Sequence, residues 1–512
     1  MTQPPVPAPT LQAPPTVPPQ ERASSGIAGL DDILGGGFPV HHLYLVEGEP
    51  GTGKTTLGLQ FLLDGVARGE QTLYVTLSET AEDLHTVAAS HGWSLEGMDV
   101  FELVPADQYS GDGAQSILHP SEIELGETVR TVTARVQETR PSRVVFDSLS
   151  EMRLLAQEPL RYRRQILALK HFFTGANCTV LMLDDRTAPT GDMQLHSICH
   201  GVVMLESTGG IYGSEKRRVR VEKMRGIRFR GGEHDYLLDT GGLTVFPRLV
   251  AAEHGRVFSG QVVDSGNPQL NALLGGGLTP GTNVLLSGPS GIGKTTTALT
   301  CVVAALQRGE RAAYFLFDET LGTLLQRSRT LGIELQPHLD SGLLSLRGLD
   351  PAEVTPGEFG HLVRAAVSGG ASTIVIDSLN AYVQAMPGAK FVVLQMHELL
   401  NYLNREGIVT LLILGNHGLF GEGKADVDLS YLSDAILQFR FFESRGRLLK
   451  AIAAIKSRTT AHELTIRELR IGAGGIQIGE VLRDFDGVLG NVPHYSGVVP
   501  LLGDADSTEQ QP

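Results

Sequence analysis

Short runs that are apolar at every position recur along the chain, each separated from the next by a longer stretch of mixed character. Such runs predict strands buried on both faces, and their alternation with helices is typical of a mostly parallel sheet covered on both sides. A helix is predicted from Thr55 onward. We therefore predict an α/β fold with strands at 43–46, 72–77, 144–146, 180–183, 283–286, 312–317, 373–376 and 410–414.

The second half of the chain repeats landmarks of the first half in the same order. The recurring pairs are the glycine triplets at 35–37 and 275–277, Lys54 and Lys294, Glu79 and Glu319, Asp147 and Asp377, Lys223 and Lys456, and Arg225 and Arg458. The separation is nearly constant, and its small drift is explained by loops of different length. Repetition on this scale indicates a duplicated domain and not a solenoid unit.

The 512 residues suit two domains of ordinary size with tails. Residues 1–20 are dominated by proline, so we expect this segment to be disordered or extended. The first domain is predicted at 21–252 and the second at 253–490. Residues 491–512 are expected to form a flexible tail.

Composition narrows the function classes. Apolar residues make up 41% of the chain and charged residues 19%, which is a globular balance. The formal net charge of −15 argues against a general polyanion binder, because phosphate contacts dominate such affinity, and we do not expect nucleic acid as a partner. Three cysteines without short spacing predict neither a zinc site nor disulfides. The strongest apolar run, 408–414, is far shorter than the about 20 residues of a membrane span, so we expect a cytoplasmic protein without membrane contact.

Two glycine-rich segments carry the clearest chemistry. Residues 48–55 and 288–295 both fit the pattern G-x-x-x-x-G-K-[ST], each between an apolar run and a predicted helix. Glycines let backbone N–H groups curl around phosphates, the helix N-terminus adds partial positive charge, and the lysine reaches the outer phosphates. The alternative, glycine turns without a ligand, does not explain two matches in register. The predicted ATP-binding residues are Gly51, Thr52, Gly53, Lys54, Thr55, Thr56, Gly291, Ile292, Gly293, Lys294, Thr295 and Thr296.

These loops and the repeated strands predict two tandem RecA-like P-loop NTPase domains with mostly parallel central sheets. Such a site also needs a carboxylate at the end of a neighbouring strand. Asp147 and Asp377 each end an apolar run and precede a serine, so we predict that they hold Mg²⁺ together with the hydroxyls of Thr55 and Thr295. The alternative is that each aspartate caps the following helix.

A third requirement is a base that orients the attacking water. Glu79 and Glu319 lie just beyond the second predicted strand of each repeat, and strands of a parallel sheet bring their carboxyl ends to the ligand crevice. A carboxylate there can polarise water toward the γ-phosphate. The alternative is an acidic cap or first-turn residue of the next helix.

Basic residues recur late in each repeat with Lys-x-Arg spacing, at 223–225 and 456–458. Three interpretations compete: a solvated strand edge, a nucleic-acid patch, or a pair that reaches a phosphate bound by an adjacent subunit, as arginine fingers do. The second repeat keeps the spacing but loses the surrounding basic density. A finger needs only the two residues, so the spacing favours that interpretation.

The lead-in at 29–37, the doubled loops, the acidic residues after the second strand and the paired Lys-x-Arg together resemble the KaiC family of circadian clock ATPases and autokinases. The resemblance covers about residues 22–490. It implies two stacked RecA-like rings in a homohexamer, with ATP at subunit interfaces and clock-type or signalling protein partners.

The resemblance also implies residue roles. Glu79 is the expected water-activating carboxylate of the first ring, and Asp318 and Glu319 are the expected catalytic pair of the second, with Asp318 also near the metal. The expected nucleotide contacts in the first ring are Ser90, Lys223, Met224, Arg225, Asp239 and Thr240. Those in the second ring are Lys456, Ser457, Arg458 and His462.

The chain departs from the family pattern at several positions. Ser78 precedes Glu79 where the family has a second glutamate, and Asp318 is a shorter acid than its family counterpart. The autophosphorylated segment of the family aligns with 428–434, where its acceptors fall on Ser430 and Tyr431. Ser430 and Ser433 are the expected phosphorylation sites.

We therefore expect an ATP-hydrolysing protein with serine/threonine autokinase activity in its second domain, acting in signalling or circadian-type timing. Two alternatives stay open. One is a DNA-dependent ATPase of the RecA or RadA type, which would share fold and loops. The other is a nucleotide-sensing scaffold with little turnover.

Overall fold

The computed structural model describes residues 21–103, 120–156, 158–186, 194–209, 213–384, 389–415, 430–444, 446–489 and 494–495. The predicted tail at 1–20 and most of that at 491–512 lie outside these residues. The chain divides into two compact units, Met1–Gly209 with Glu215–Arg248, and Gly210–Ser214 with Leu249–Pro512. The division therefore falls between Arg248 and Leu249, slightly before the predicted boundary. Ala251 is buried in the core of the second unit, which accounts for the difference.

The first unit contains, in chain order, β1 (Arg22–Ala23), α1 (Ala28–Leu34), β2 (Phe38–Pro39), β3 (Leu43–Gly48), α2 (Lys54–Ala67), β4 (Thr72–Thr76), α3 (Ala81–Ser90), β5 (Asp99–Glu102), α4 (Pro120–Thr139), β6 (Arg143–Asp147), α5 (Leu149–Ala156), α6 (Pro159–Gly175), β7 (Thr179–Asp184), α7 (Gln194–Ile198), β8 (Gly201–Thr208), β9 (Lys216–Met224), β10 (Glu233–Asp239) and β11 (Gly242–Phe246).

The second unit contains α8 (Pro268–Leu273), β12 (Asn283–Gly288), α9 (Lys294–Gln307), β13 (Arg311–Leu316), α10 (Leu321–Thr330), α11 (Gln336–Asp340), β14 (Leu344–Gly348), α12 (Pro356–Ser368), β15 (Ala371–Asp377), α13 (Leu379–Gln384), α14 (Ala389–Arg405), β16 (Val409–Gly415), β17 (Ala435–Ser444), β18 (Arg447–Ser457), β19 (Ile466–Gly472), β20 (Gly475–Val481), β21 (Phe485–Asp486) and β22 (His494–Tyr495). Short 3₁₀ turns occupy Ala251–Glu253 and Ser430–Leu432.

Within the described residues, the two units have the same nine-stranded sheet. The order is β11-β10-β9-β8-β3-β7-β6-β4-β5 in the first unit, and the matching order β20-β19-β18-β17-β12-β16-β15-β13-β14 in the second. The strands from β8 to β5 pair in parallel, and β9 to β11 add an antiparallel extension. The predicted α/β class, with two mostly parallel central sheets, is confirmed.

Helices cover both faces of each sheet and enclose apolar cores. In the first unit, Tyr44 and Val46 of β3 face one core and Leu43 and Leu45 face the other, which explains why this strand is apolar at every position. The second unit has the same two-core arrangement. Among the described helices, none has both the length and the apolar character needed to cross a membrane.

One buried cation links the sheet of the first unit to its helices. Arg143, at the start of β6, is 1% exposed, and its guanidinium donates to both carboxylate oxygens of Glu70 at 2.7 Å. It also donates to Asp64 at 3.0 Å and to the carbonyl oxygen of Phe61 at 2.8 Å. The matching position of the second unit is Thr373, so this cluster is particular to the first unit.

We expect Arg143→Met to lower the free energy of unfolding of the first unit by about 3 kcal/mol, because it leaves two carboxylates without their buried cation. Urea denaturation followed by circular dichroism measures the effect. Arg130→Met, which removes an exposed arginine of α4, is the matched control and is expected to change the midpoint little. Equal midpoints for the two variants would show that the cluster contributes nothing to stability.

Candidate functional site

Both phosphate loops connect a central strand to a helix, as the motif requires. The first loop follows β3 and leads into α2, and the second follows β12 and leads into α9. The glycine that precedes each lysine has positive φ, 89° at Gly53 and 118° at Gly293, a conformation that side chains disfavour. The motif glycines are therefore explained by backbone geometry in both loops.

The two loop lysines are buried and lie along the loops. Lys54 Nζ donates to the carbonyl oxygens of Gly48 at 2.9 Å and of Glu49 at 3.0 Å. Lys294 Nζ makes the matching bonds to Gly288 and Pro289, both at 2.7 Å. Burial lowers the pKa of Lys294 to about 8. Each ammonium is thus held at the mouth of its loop, where the outer phosphates of a nucleotide would bind.

The predicted metal residues come together in both units. Thr55 Oγ1 donates to Asp147 Oδ2 at 3.0 Å, and Thr295 Oγ1 donates to Asp377 Oδ2 at 2.9 Å. Burial raises the pKa of both aspartates. A hydroxyl beside a carboxylate is an oxygen donor set suited to Mg²⁺. Because these aspartates accept from the loop threonines, their position matches the metal role better than the helix-cap alternative.

A tyrosine that the sequence reasoning missed fixes each aspartate. Tyr74 OH donates to Asp147 Oδ2 at 2.6 Å, and Tyr314 OH donates to Asp377 Oδ2 at 2.8 Å. Both tyrosines are fully buried on the neighbouring strand. The repeat itself carried the signal, because Tyr74 and Tyr314 have the same separation as Lys54 and Lys294.

Glu79 and Glu319 lie just before the helices that follow β4 and β13. The N-caps of those helices are Thr80 and Thr320, whose side chains accept from the backbone N–H groups of Asp83 and Thr323. The alternative that the glutamates are themselves the caps therefore fails.

The surroundings of the two glutamates differ. Among the described residues, Glu79 Oε2 is a buried oxygen without a hydrogen-bond partner, whereas Glu319 Oε1 accepts from Arg327 Nη2 at 2.6 Å. Burial raises the pKa of both carboxyls, and Asp147 adds to the effect on Glu79. The two carboxylates therefore differ in their contacts, since only Glu319 is held by a cation.

Two further acidic residues lie beside the loops. Asp185, directly after β7, forms an ion pair with Lys54 at 2.8 Å, and the sequence reasoning did not single it out. Asp318 accepts a short hydrogen bond from Ser378 Oγ. Because Ser378 directly follows Asp377, this hydrogen bond ties Asp318 to the end of β15, near the predicted metal residue. The peptide bonds Asp147–Ser148 and Asp377–Ser378 are cis.

The Lys-x-Arg pairs lie at the end of each sheet opposite to the phosphate loop, where the parallel strands begin. Lys223 is registered with Val202 of β8, level with Leu45 of β3, whereas the phosphate loop begins after Gly48. At about 3.3 Å per residue this is a separation of roughly 10 Å along the strands. Lys456 is likewise registered with Ile436, near the start of β17. Neither pair is placed to serve the loop of its own unit.

Both Lys-x-Arg pairs donate hydrogen bonds to backbone carbonyl oxygens at that end of the sheet. Lys223 Nζ bonds to the carbonyl oxygens of His196 and Cys199, the latter at 2.9 Å, and Arg225 bonds to that of Ser197 at 3.1 Å. In the second unit, Lys456 bonds to the carbonyl oxygen of Ser433 at 2.7 Å, and Arg458 bonds to that of Tyr431 at 3.1 Å. The residue between them differs in character, since Met224 is buried in the core while Ser457 is partly exposed.

The geometry bears on the other two interpretations of the basic residues. Strand β9 lies between β8 and β10, so it is not a sheet edge. The surrounding arginines form ion pairs with neighbouring acids: Arg217 with Glu215 at 2.6 Å, Arg218 with Glu233 at 2.8 Å and Arg220 with Glu222 at 2.6 Å. This pairing reduces the positive charge available to a nucleic acid.

One histidine of the first unit contacts both the residue before the phosphate loop and the lysine of the Lys-x-Arg pair. His196 Nε2 lies 2.8 Å from Glu47 Oε2, on the residue that precedes the phosphate loop, and the carbonyl oxygen of His196 accepts from Lys223. Burial raises the pKa of Glu47. The matching residue of the second unit is Ser287, so this His–Glu contact does not recur there.

The remaining predicted contacts of the first unit lie near the end of α3. Ser90, Asp239 and Thr240 are exposed, and His91, which the sequence reasoning missed, connects them to the loop helix. Its Nδ1 lies 2.8 Å from the carbonyl oxygen of Asp239, and its Nε2 lies 3.4 Å from Thr56 Oγ1. In the second unit, His462 lies between β18 and β19, and its Nε2 is buried without a described partner.

The expected phosphorylation segment precedes β17. Its first residues, 428–429, lie outside the described part of the chain. Ser430 opens a 3₁₀ turn, and Ser433 is fully buried, its hydroxyl having no hydrogen-bond partner among the described residues. The segment lies at the same end of the sheet as Lys456 and Arg458, which donate hydrogen bonds to its carbonyl oxygens.

Comparison with known proteins agrees with this geometry. The family model for the KaiC ATPase matches residues 23–250 and again residues 263–483, which is most of the chain. The chain belongs to the KaiC ATPase family. The two matches correspond to the two units, and each includes one phosphate loop.

Relatives are similar over nearly their whole length. The circadian clock oscillator protein KaiC of Parasynechococcus marenigrum is 26% identical over 93% of both chains. That of Parathermosynechococcus lividus is 27% identical, covering 92% of this chain and 88% of the relative. The circadian clock protein KaiC3 of Synechocystis sp. is 26% identical, covering 93% and 95%. The similarity supports a KaiC-family ATPase with clock-like relatives.

We expect Tyr74→Phe to raise the Mg²⁺ concentration that gives half-maximal ATP turnover about tenfold, because it removes the bond that orients Asp147. A chain that also carries Glu319→Gln reports the first unit. Tyr44→Phe is the matched control, since this buried hydroxyl donates to the carbonyl oxygen of Pro39 and not to Asp147. An unchanged Mg²⁺ requirement in Tyr74→Phe would contradict the orienting role.

Proposed function

We propose that the chain binds and hydrolyses ATP in its first unit and transfers phosphoryl groups to its own serines in its second. The observation that carries the proposal is the contrast at the base position. Glu79 has a buried oxygen without a described partner beside the phosphate loop, whereas Glu319 is paired with Arg327.

In the hydrolytic step, water would attack the γ-phosphorus and lose a proton to the carboxylate of Glu79. The bond to the bridging oxygen would break, and its electron pair would stay on ADP. Lys54 would exchange the loop carbonyls for phosphate oxygens. Because its pKa is raised, Glu79 is a stronger base than an ordinary glutamate. As the pH falls, protonation inactivates Glu79 earlier than it would an ordinary glutamate.

Mg²⁺ would be held by Thr55 and Asp147 in the first unit, and by Thr295 and Asp377 in the second, with Asp318 beside it. The ion would neutralise charge on the β- and γ-phosphates. The fit rests on the hydroxyl–carboxylate distances of 3.0 and 2.9 Å and on the tyrosines that orient the aspartates.

The proposed assembly is a homohexamer with ATP at the interfaces between subunits. The two Lys-x-Arg pairs lie at the end of each sheet opposite to the loops. Each pair, Lys223 with Arg225 and Lys456 with Arg458, would therefore serve the nucleotide of a neighbouring copy. The family membership supports this assembly, and the printed names of the relatives motivate a role in timing or signalling with protein partners.

The proposed autokinase reaction would also take place between copies. Lys456 bonds to the carbonyl oxygen of Ser433 and Arg458 bonds to that of Tyr431, so this segment lies at the end of the sheet that would face the neighbour's nucleotide. In that step the serine oxygen would bond to the γ-phosphorus, and the hydroxyl proton would pass to the neighbour's Asp318 or Glu319 carboxylate. The bond between the γ-phosphorus and the bridging oxygen would break, and its electron pair would stay on ADP. The Ser433 side chain is fully buried, which disfavours Ser433 as the acceptor.

We expect Glu79→Gln to lower ATP turnover about 100-fold in a chain whose second unit carries Glu319→Gln, because the base is lost while the loop remains. Phosphate release measures the rate, and binding of a fluorescent ATP analogue checks that the loop is intact. Glu82→Gln, an exposed acid in the first turn of α3, is the matched control. The doubly substituted Lys54→Ala, Lys294→Ala chain is expected to lose binding and turnover. Turnover equal to that of the unsubstituted chain would overturn the ATPase proposal.

We expect γ-labelled ATP to label Ser430 in the presence of Mg²⁺, and Ser430→Ala to lose most of the label. Ser433→Ala is expected to retain it. Peptide mapping by mass spectrometry locates the phosphate. Active ATP hydrolysis without label on either serine would reject the autokinase proposal and leave the ATPase proposal standing.

A further inference from the structure

The helices that follow the two glutamates are in strict register, which allows a position-by-position comparison. Helix α3 spans Ala81–Ser90 and α10 spans Leu321–Thr330, each capped by a threonine. The position that holds Arg327 in α10 is occupied by Val87 in α3. The two units therefore differ in charge at this helix position, as they also do at Asp83, which is matched by Thr323.

The pair in the second unit is a close, partly buried contact. Arg327 Nη2 lies 2.6 Å from Glu319 Oε1, and the two side chains are 40% and 20% exposed. In the first unit, Val87 packs against the apolar core and has no charge to offer Glu79. Glu79 Oε2 is left without a described hydrogen-bond partner.

The other charged and titratable groups around the two carboxylates are acids and a tyrosine, and not all of them are matched, since Asp83 corresponds to Thr323 and Asp318 to Ser78. Asp377 and Asp318 face Glu319, and Tyr314 lies beside it. Asp147, Asp83 and Asp185 face Glu79, and Tyr74 lies beside it. Arg327 is the cation that distinguishes the second set among the groups that act on the two carboxylates.

We propose that Arg327 is a positioning residue that holds Glu319 away from water activation and so makes the second unit the slower hydrolase. The inference rests on the proposed function, in which Glu319 is the base. A carboxylate that accepts a charge-assisted hydrogen bond is stabilised as the anion and is a weaker proton acceptor. When water attacks the γ-phosphorus, its proton passes to the Glu319 carboxylate. The ion pair with Arg327 must then open or weaken, and this loss of stabilisation raises the activation free energy of hydrolysis.

The test uses the full chain with Glu79→Gln, so that phosphate release reports the second unit. Arg327→Val, which installs the first-unit residue, is expected to raise ATP turnover about two- to fivefold, the range of a partly exposed ion pair. Arg327→Lys is expected to stay close to the parent rate. Adding Glu319→Gln to Arg327→Val is expected to abolish the gain. A gain that persists without Glu319, or no gain with ATP binding intact, would overturn the proposal.

The reciprocal substitution tests the same idea in the first unit. In a chain carrying Glu319→Gln, Val87→Arg is expected to lower turnover about two- to fivefold. Val87→Met, which adds length without charge, separates this effect from disturbed packing, and its melting temperature is compared with that of Val87→Arg. Equal losses in both variants would count against the ionic restraint.

The kinetic constants provide a readout that packing alone would not move. Because the restraint acts on the base and not on nucleotide binding, Arg327→Val is expected to raise kcat and to leave the KM for ATP close to the parent value. A change confined to KM would contradict the restraint. If the Glu79→Gln, Glu319→Gln chain turned over ATP as fast as the unsubstituted chain, the proposed function itself would fail. If it did not, while Arg327→Val had no effect, only the restraint would fail.

Discussion

The parallel register of four central strands is the constraint on which the site depends. Glu47 of β3 is paired with Asp184 of β7, and Asp147 of β6 is paired with Leu183 of β7 and with Thr76 of β4, so the four strands end within two residues of one another. The phosphate loop and Glu79 each follow one of these ends, and Asp147 lies at a third. None of these groups is close to another in sequence, and only the sheet brings them together. Burial on both faces fixes the register, because a slip of one residue would exchange the two cores.

The fold was largely predictable because its central strands are apolar at every position. All eight predicted strands are present, with ends that differ by a few residues. The antiparallel strands β9–β11 were not predicted because they lack a continuous apolar run: in β9, a partly buried residue such as Arg218 stands next to a buried one such as Val219. Within the site, Lys54 and Thr55 belong to a local motif and were predictable. Asp185 was not, because its contact with Lys54 depends on neighbouring strands that are far apart in sequence.

Duplication makes the differences between the units informative. The loops, aspartates and tyrosines are matched, so they define what both units share. Glu319 has Arg327 where Glu79 has only Val87, and Asp318 bonds to Ser378 where the first unit has Ser78. These are changes around the same backbone, and they alter the basicity and freedom of one carboxylate. The proposed difference in rate between the two units would therefore require no change of fold, only a change of the charges that surround the proposed base.

The opposite placement of loops and Lys-x-Arg pairs constrains how any complete site can be built. A cation that stabilises a transferring phosphoryl group must contact it, and Lys223 is separated along the strands from the loop of its own unit by roughly 10 Å. If the pair serves a nucleotide, that nucleotide belongs to another copy of the chain. A contact between the phosphate loops of one copy and the Lys-x-Arg pairs of the next is heterologous. Repetition of such a contact gives a closed ring or an open filament. A catalytic role for Lys223 and Arg225 thus implies head-to-tail assembly, and ATP turnover that depends on these residues should require it.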